Sequence, residues 1–181
     1  MIKSKIRKKI LEIRKKKNSK NIQLSLLKIF KKITKNISKK KIIGGYYPVN
    51  FEIDVLEFLE KLEVKGLQLC LPVIKKNSQM DFYSWSTKNF LKLNKFGIPE
   101  PEKINKVLPD IILVPLVAFD DRLYRIGYGG GYYDRYIEKL SKKKNLLKIG
   151  IAHSCQKINK VPINKYDKKL DIIITEKYIL R

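Results

Sequence analysis

Arg125-Ile126-Gly127-Tyr128-Gly129-Gly130-Gly131-Tyr132-Tyr133-Asp134-Arg135 is the stretch on which the reading of this chain turns. Ahead of it lies the apolar run 111–119, and behind it residues 132–144 suit a helix. Four glycines within five positions each lose backbone entropy on folding, so stability does not explain them. They admit positive φ and let backbone come close to another group. A strand, a glycine turn and a helix start, with an arginine on each side, describe an anion cradle. Free N–H groups and the positive helix end then face the ligand. A tight turn is the plainer alternative, but the close bracketing by Arg125, Tyr132, Tyr133, Asp134 and Arg135 favours a ligand loop. Neither familiar phosphate pattern fits. Tyr132 stands where a dinucleotide fingerprint needs its third glycine, and no Gly-Lys-Ser/Thr follows as in a P-loop.

Outward from the loop, the apolar segments set the fold. Residues 111–114 are wholly apolar, as in a strand buried on both faces of a parallel sheet. Residues 147–152 and 171–175 are two more strands of that kind. Upstream, 42–47 and 67–71 read as strands, the second stopping before Pro72, and 80–85 as another, with Trp85 as a packing residue. Between the first two, Asp54 and Glu57 have capping-box spacing for a helix over 54–64, ended by Gly66. Residues 94–109, with Pro99, Pro101 and Pro109, read as loop. Strands alternating with helices predict an α/β fold. We expect one domain over 1–181, Rossmann-like and three-layered, with a mostly parallel central sheet flanked by helices. Ligands in such sheets sit at the carboxyl ends of the strands, where the glycine loop lies.

A basic helical segment, 1–41, precedes the sheet and is expected to pack on it. In a helix over 2–17, Ile2, Ile6, Ile10 and Ile13 make one apolar stripe. Lys3, Arg7 and Arg14 fall within about 40° of one another beside that stripe. They either face a site or are solvated charges, and the pattern alone does not decide. After Asn18-Ser19, residues 20–36 suit a second helix, with Ile22, Leu26, Ile29, Phe30 and Ile33 on its apolar face.

Of the net charge of +24, residues 1–41 contribute +16, from 17 Lys/Arg against Glu12 alone. That balance suits anionic partners, nucleic acid among them. The simpler reading is compositional: the chain prefers Lys, Ile, Asn and Tyr, and many lysines are solvated filler. Cys70 and Cys155 form no metal-ligating or C-x-x-C spacing, which fits a reducing compartment. The start shows no secretory core, and the longest apolar run, broken by Pro115, is too short to cross a bilayer. A cytoplasmic, monomeric protein free of the membrane is expected.

No Ser/His/Asp set or Cys/His pair is present, and His153, the only histidine, reads as structural. Asp134 directly after a phosphate-type loop would repel phosphate unless a cation lay between. Mg²⁺, held by one or two carboxylates plus phosphate oxygens, meets that need. The alternative for Asp134 is a first-turn acid complementing the helix dipole. Asp171, opening the last strand, is a candidate second carboxylate at the same sheet edge, or simply a strand-end charge.

The block Arg125 to Arg135 resembles the most specific motif of the 5-formyltetrahydrofolate cyclo-ligase (5,10-methenyltetrahydrofolate synthetase) family. The resemblance continues through Gly150-Ile151-Ala152, Gln156, Val161-Pro162, Asp167 and 171–176, and upstream through 96–101, 50–54 and Lys3-x-x-x-Arg7, so that it covers nearly the whole chain. It implies closure of 5-formyltetrahydrofolate to 5,10-methenyltetrahydrofolate with hydrolysis of ATP to ADP and phosphate, Mg²⁺ assisting. It implies a nucleotide site at Lys3, Arg7, Arg125, Ile126, Gly127, Tyr128, Gly129, Gly130, Gly131, Tyr132 and Tyr133, with Arg125 and Tyr132 nearest the chemistry. Folate would meet Glu52, Phe96 and the stretch Tyr128 to Tyr132, and Asp134 and Asp171 would hold the metal. Arg14 receives no role. Leu123 stands where a glycine is common, His153 where an aromatic is usual, and Tyr128 and Gly130 where some relatives are basic.

Two other readings remain at this stage. A nucleic-acid binder would use the 1–41 helices, yet their only aromatic is Phe30 and each has an apolar face that wants a core. A sugar-phosphate isomerase-like relative would keep the fold without ATP chemistry, but gives Lys3 and Arg7 no purpose.

Overall fold

A computed structural model describes residues 2–16 and 41–181. The helix expected over 20–36 lies outside the described residues, as does Lys17. The continuous apolar run forms β7 (Ile111–Pro115), whose first four side chains are all buried. It is flanked by two parallel neighbours, β1 (Ile42–Gly44) and β10 (Leu147–Ile151). With β2 (Gln68–Ile74) beyond β1, and β11 (Ile172–Ile174) beyond β10, five parallel strands run in the order β2-β1-β7-β10-β11. Antiparallel strands finish both margins: β3 (Met80–Trp85) and β6 (Lys106–Val107) on one side, β12 (Ile179–Leu180) on the other.

Alternation along the strands divides the core in two. Ile43, Leu69, Leu71, Leu113 and Ile149 meet Phe58, Leu59 and Leu62 of α2 (Leu56–Val64). Cys70, Phe82, Ile112, Val114 and Ile173 meet Tyr136, Ile137 and Leu140 of α3 (Tyr132–Ser141) on the opposite face. The expected three-layer α/β fold is what forms. From β1 the chain passes through α2 to β2, then returns to the other side of β1 to place β7. The crevice at the carboxyl ends of β1 and β7 is therefore the switch point, where an open parallel sheet takes its ligands.

Local details differ from expectation for identifiable reasons. β1 ends at Gly44 rather than continuing to 47, and Gly45 lies so close to α2 that a Cβ there would come within 2.4 Å of Leu59 Cδ1. β2 runs through Pro72 to Ile74; β1 covers only Gln68 to Cys70, so at Pro72 it has a strand on one side alone, where proline is tolerated. No capping box opens α2. Asp54 Oδ1 accepts the Leu56 N–H at 2.8 Å, Glu57 turns to Lys61, and the cap position is Val55. The 94–109 loop holds a small hairpin, β4 (Lys92–Leu93) with β5 (Pro99–Glu100), besides β6. Leu123, where relatives commonly carry glycine, adopts φ 67° while buried, so its packing outweighs a backbone cost.

α1 (Ile2–Lys16) lies over a second hairpin, β8 (Ala118–Phe119) with β9 (Arg125–Ile126). Ile6 and Ile10 pack against Val117, Ala118, Ile126 and Val161. The glycine loop thus issues from this hairpin rather than directly from a central strand. No helix among the described residues is long and apolar enough to cross a membrane.

Candidate active site

The isoleucine stripe, by seating α1, decides which of its cations turn inward. Lys5, Lys8, Lys9, Lys15 and Lys16 are exposed, whereas Arg7 is half-buried and Arg14 is 1% exposed. Arg7 Nε donates to the Gly127 carbonyl at 2.7 Å. Gly129, at φ 109°, lies against the same guanidinium, and a Cβ there would sit 3.4 Å from Arg7 Cζ. Gly131, at φ 66°, starts α3 with no side chain capping it, so the first-turn amides are left for a ligand. The Tyr132 ring covers Gly130, and the face of the loop at Gly127 is open. Lys3 Nζ reaches Asp167 Oδ2 at 2.6 Å, which places its charge beside the 164–167 turn.

Arg125 is drawn beneath the loop. It is 6% exposed, and donates from Nη1 to the Lys168 carbonyl at 2.7 Å and from Nη2 to Asp134 Oδ1 at 2.9 Å. The Lys168 N–H donates to the same Asp134 oxygen at 3.0 Å. Asp134 Oδ2 has no partner among the described residues, so the side chain retains one oxygen for a cation. That fits Mg²⁺, which needs only one or two carboxylates beside phosphate oxygens. Asp171 is engaged by Lys148. Its Oδ2 accepts the Lys148 N–H at 2.7 Å, and its Oδ1 is 3.1 Å from Lys148 Nζ. Asp171 lies directly before β11, three residues after the Lys168 whose N–H bonds Asp134. Among the described residues no three His, Cys, Asp or Glu converge as a metal cluster.

Across the switch point lies Glu52, carried by a turn in which Asn50 and Phe51 both hold left-handed backbone, at φ 48° and 62°. Consecutive non-glycine residues in that region are strained and are found where geometry matters. Glu52 Oε2 accepts the Val49 N–H at 2.9 Å, while Oε1 is buried without a hydrogen-bond partner among the described residues. Burial raises the pKa to about 7, against the lowering effects of the Val49 amide, the Arg14 charge and the Tyr128 hydroxyl. Tyr128 faces the carboxylate but falls short of a formed bond, since neither oxygen has it as a geometric partner. Its own pKa is pushed up to about 12, by burial first and Glu52 second. Tyr46 and Tyr133 are pushed up by the same two causes.

Phe96 is not brought to this cluster. It is exposed between β4 and β5, its ring 5.0 Å from Lys95 Nζ and its N–H on Asn94 Oδ1 at 2.9 Å. His153 is buried before a short turn, where its N–H bonds Gln156 Oε1 at 2.7 Å. The residue that sequence reasoning left without a role is Arg14. Nη1 donates to the Leu116 carbonyl at 3.1 Å, and Nη2 donates to the Asn50 carbonyl at 2.7 Å and to the Tyr128 hydroxyl. The available signal was angular, since Arg14 shares its side of α1 with Lys3 and Arg7.

Comparison with known proteins identifies the family. Residues 1–176 match the sequence model of the 5-formyltetrahydrofolate cyclo-ligase family. The 5-formyltetrahydrofolate cyclo-ligase of Escherichia coli strain K12 is 34% identical over 131 residues, covering 68% of this chain and 71% of that protein. The one from Mycoplasma pneumoniae is 33% identical over 137 residues, covering 75% and 73%. The solved structure of Aquifex aeolicus 5,10-methenyltetrahydrofolate synthetase matches with a TM-score of 0.82 at 32% identity, over 100% of this chain and 93% of that one. The Mycoplasma pneumoniae synthetase gives 0.75 at 28%, over 96% and 98%. With a glycine loop gripped by α1, a half-bonded carboxylate facing it across the switch point, and kinship along nearly its full length, this chain belongs to the 5-formyltetrahydrofolate cyclo-ligase family.

Proposed function

We propose that this cyclo-ligase joins ATP hydrolysis to ring closure by phosphorylating the formyl oxygen of 5-formyltetrahydrofolate. An amide oxygen is a very poor leaving group. Transfer of the γ-phosphoryl group to it breaks the bond to ADP and makes the oxygen a phosphate ester. N10 then attacks the activated carbon and loses its proton, and phosphate departs with the former formyl oxygen, leaving 5,10-methenyltetrahydrofolate. Such a transfer asks a protein for positioning and charge neutralisation rather than a nucleophile.

The described residues support that division of labour. Arg7 and the 127–131 backbone would hold the phosphates, with Lys3 joining from its place beside Asp167. Arg125, already bonded to Asp134 and the Lys168 carbonyl, would hold the loop and Asp134 in place. Asp134 Oδ2 would hold Mg²⁺, which when bound supplies neutralisation of phosphate charge. Tyr132, its ring over the loop, would border the reacting groups. Glu52 would accept N–H donors of the pterin ring, and Phe96 would reach the pterin only if its hairpin closed over the site.

The observation that carries this reading is Glu52 Oε1: a buried, unbonded acceptor at the same crevice as the glycine loop. Leaving such a group unsatisfied is costly, and a ligand donor removes the cost. The test is spectroscopic detection of the methenyl product from purified protein, 5-formyltetrahydrofolate and Mg²⁺-ATP. Product that forms equally without ATP would overturn the phosphoryl route.

A further inference from the structure

A buried arginine is expensive unless its donors are used. Arg14 spends them on three separate pieces of chain: the Leu116 carbonyl just beyond β7, the Asn50 carbonyl in the strained turn that carries Glu52, and the Tyr128 hydroxyl in the glycine loop. One guanidinium thereby ties together the segments that bound the switch point. With 1% of its surface exposed, it is not placed to hold substrate itself. Its Nε is left without a partner among the described residues, so the fold tolerates an incomplete set of bonds to keep the charge here.

We propose that Arg14 is a positioning residue that keeps Glu52 aimed at the folate, acting through its charge and through the bonds by which it ties the 49–52 turn to the glycine loop. The inference rests on the reading of Glu52 as the carboxylate that meets folate. The groups facing Glu52 are Arg14 from α1, Tyr46 from the segment after β1, Tyr128 from the glycine loop and Tyr133 from α3. Arg14 is the one cation among them. Without it, burial of the carboxylate is opposed by the Val49 N–H and Tyr128 alone, and Glu52 takes up a proton at higher pH. Both effects come from a side chain that need never touch the reacting atoms.

The experiment is direct binding of 5-formyltetrahydrofolate to the full chain without nucleotide, followed across pH. The wild-type affinity should fall on acidification with a midpoint near the Glu52 pKa of about 7. Glu52→Gln should abolish that dependence. Arg14→Gln should move the midpoint up by about one pH unit, the usual scale for loss of a nearby opposite charge. Arg14→Lys, which keeps the charge but not the three-way tie, should hold the midpoint while weakening binding. Tyr128→Phe alters a residue that is 42% exposed, so the fold is not at risk, and should move the midpoint up by less. If Arg14→Gln does not fold, Tyr128→Phe and Arg14→Lys decide. A midpoint that stays put in both Arg14→Gln and Tyr128→Phe, while Glu52→Gln still abolishes it, overturns the role of Arg14 alone. A pH dependence that survives Glu52→Gln overturns the folate role of Glu52 as well.

Discussion

Asp81 and Glu52 are both carboxylates set into the body of the protein, and they are bonded in opposite ways. Asp81, on β3 and 4% exposed, is bonded by Lys75 Nζ at 2.5 Å and Lys106 Nζ at 2.8 Å, with Lys139 Nζ 3.5 Å from its other oxygen. Burial works against its charge, but the lysine bonds outweigh burial and bring the pKa down to about 2. Glu52 has one backbone bond and one bare oxygen, and there burial wins. Completeness of bonding separates the two. A carboxylate satisfied by its own fold has nothing left to offer, whereas a strained turn that holds one half-satisfied keeps an acceptor ready for a ligand.

Substitution at the open cluster should give the largest effects. Glu52→Gln should lower kcat/KM for 5-formyltetrahydrofolate by roughly ten- to a hundredfold, the value of a charge-assisted bond of about 1.5–3 kcal/mol, while KM for ATP holds. Arg7→Ala should show the mirror image, a loss of similar size in ATP use. Steady-state kinetics with each substrate varied separately checks both, and equal loss toward both substrates in Glu52→Gln would mean damage to the 49–52 turn instead. Asp134→Asn should leave a folded protein with poor activity that excess Mg²⁺ partly restores. Unchanged turnover at limiting Mg²⁺ would remove Asp134 from the site.

The closed cluster should show its worth in stability alone. Asp81→Asn should leave turnover within about twofold, since no ligand is bound there, yet cost about 2 kcal/mol near neutral pH by denaturant unfolding. Because the folded pKa lies below the unfolded value of 3.8, the contribution is present above about pH 4 and is lost as pH falls toward 2. A variant difference that persists unchanged at pH 2 would break the comparison. The smallest effect is expected from Lys15→Gln with Lys16→Gln on the exposed side of α1, less than twofold in ATP use at moderate salt. A loss there matching Arg7→Ala would mean that α1 acts by diffuse charge.

The central sheet was legible because strands buried on both faces read as unbroken apolar runs, as in 111–114 and 172–174. The glycine loop was legible because few other needs explain four glycines together. Arg14 was not. Its position beside the isoleucine stripe was visible, but which cation of a lysine-rich helix is buried depends on the Asn50 and Leu116 carbonyls that wait opposite, and these come from distant parts of the chain. Pro72 was taken for a stop because strand neighbours are tertiary facts, and β1 is too short to need its missing N–H.

The most direct test of the account is the unfolding free energy of wild type and Glu52→Gln measured between about pH 4 and 9 without ligand. Because the folded pKa of Glu52, about 7, lies above its unfolded value of 4.5, the folded chain holds the extra proton between these values. Its contribution to wild-type stability therefore declines as pH rises through that window. Glutamine carries no such term. The variant should match wild type near pH 4 and become more stable as pH rises, levelling above pH 7 at a gain on the order of 3 kcal/mol. A variant less stable than wild type at pH 8, or a difference independent of pH, would show that Glu52 is already satisfied by the fold and contradict its assignment as a carboxylate kept for substrate.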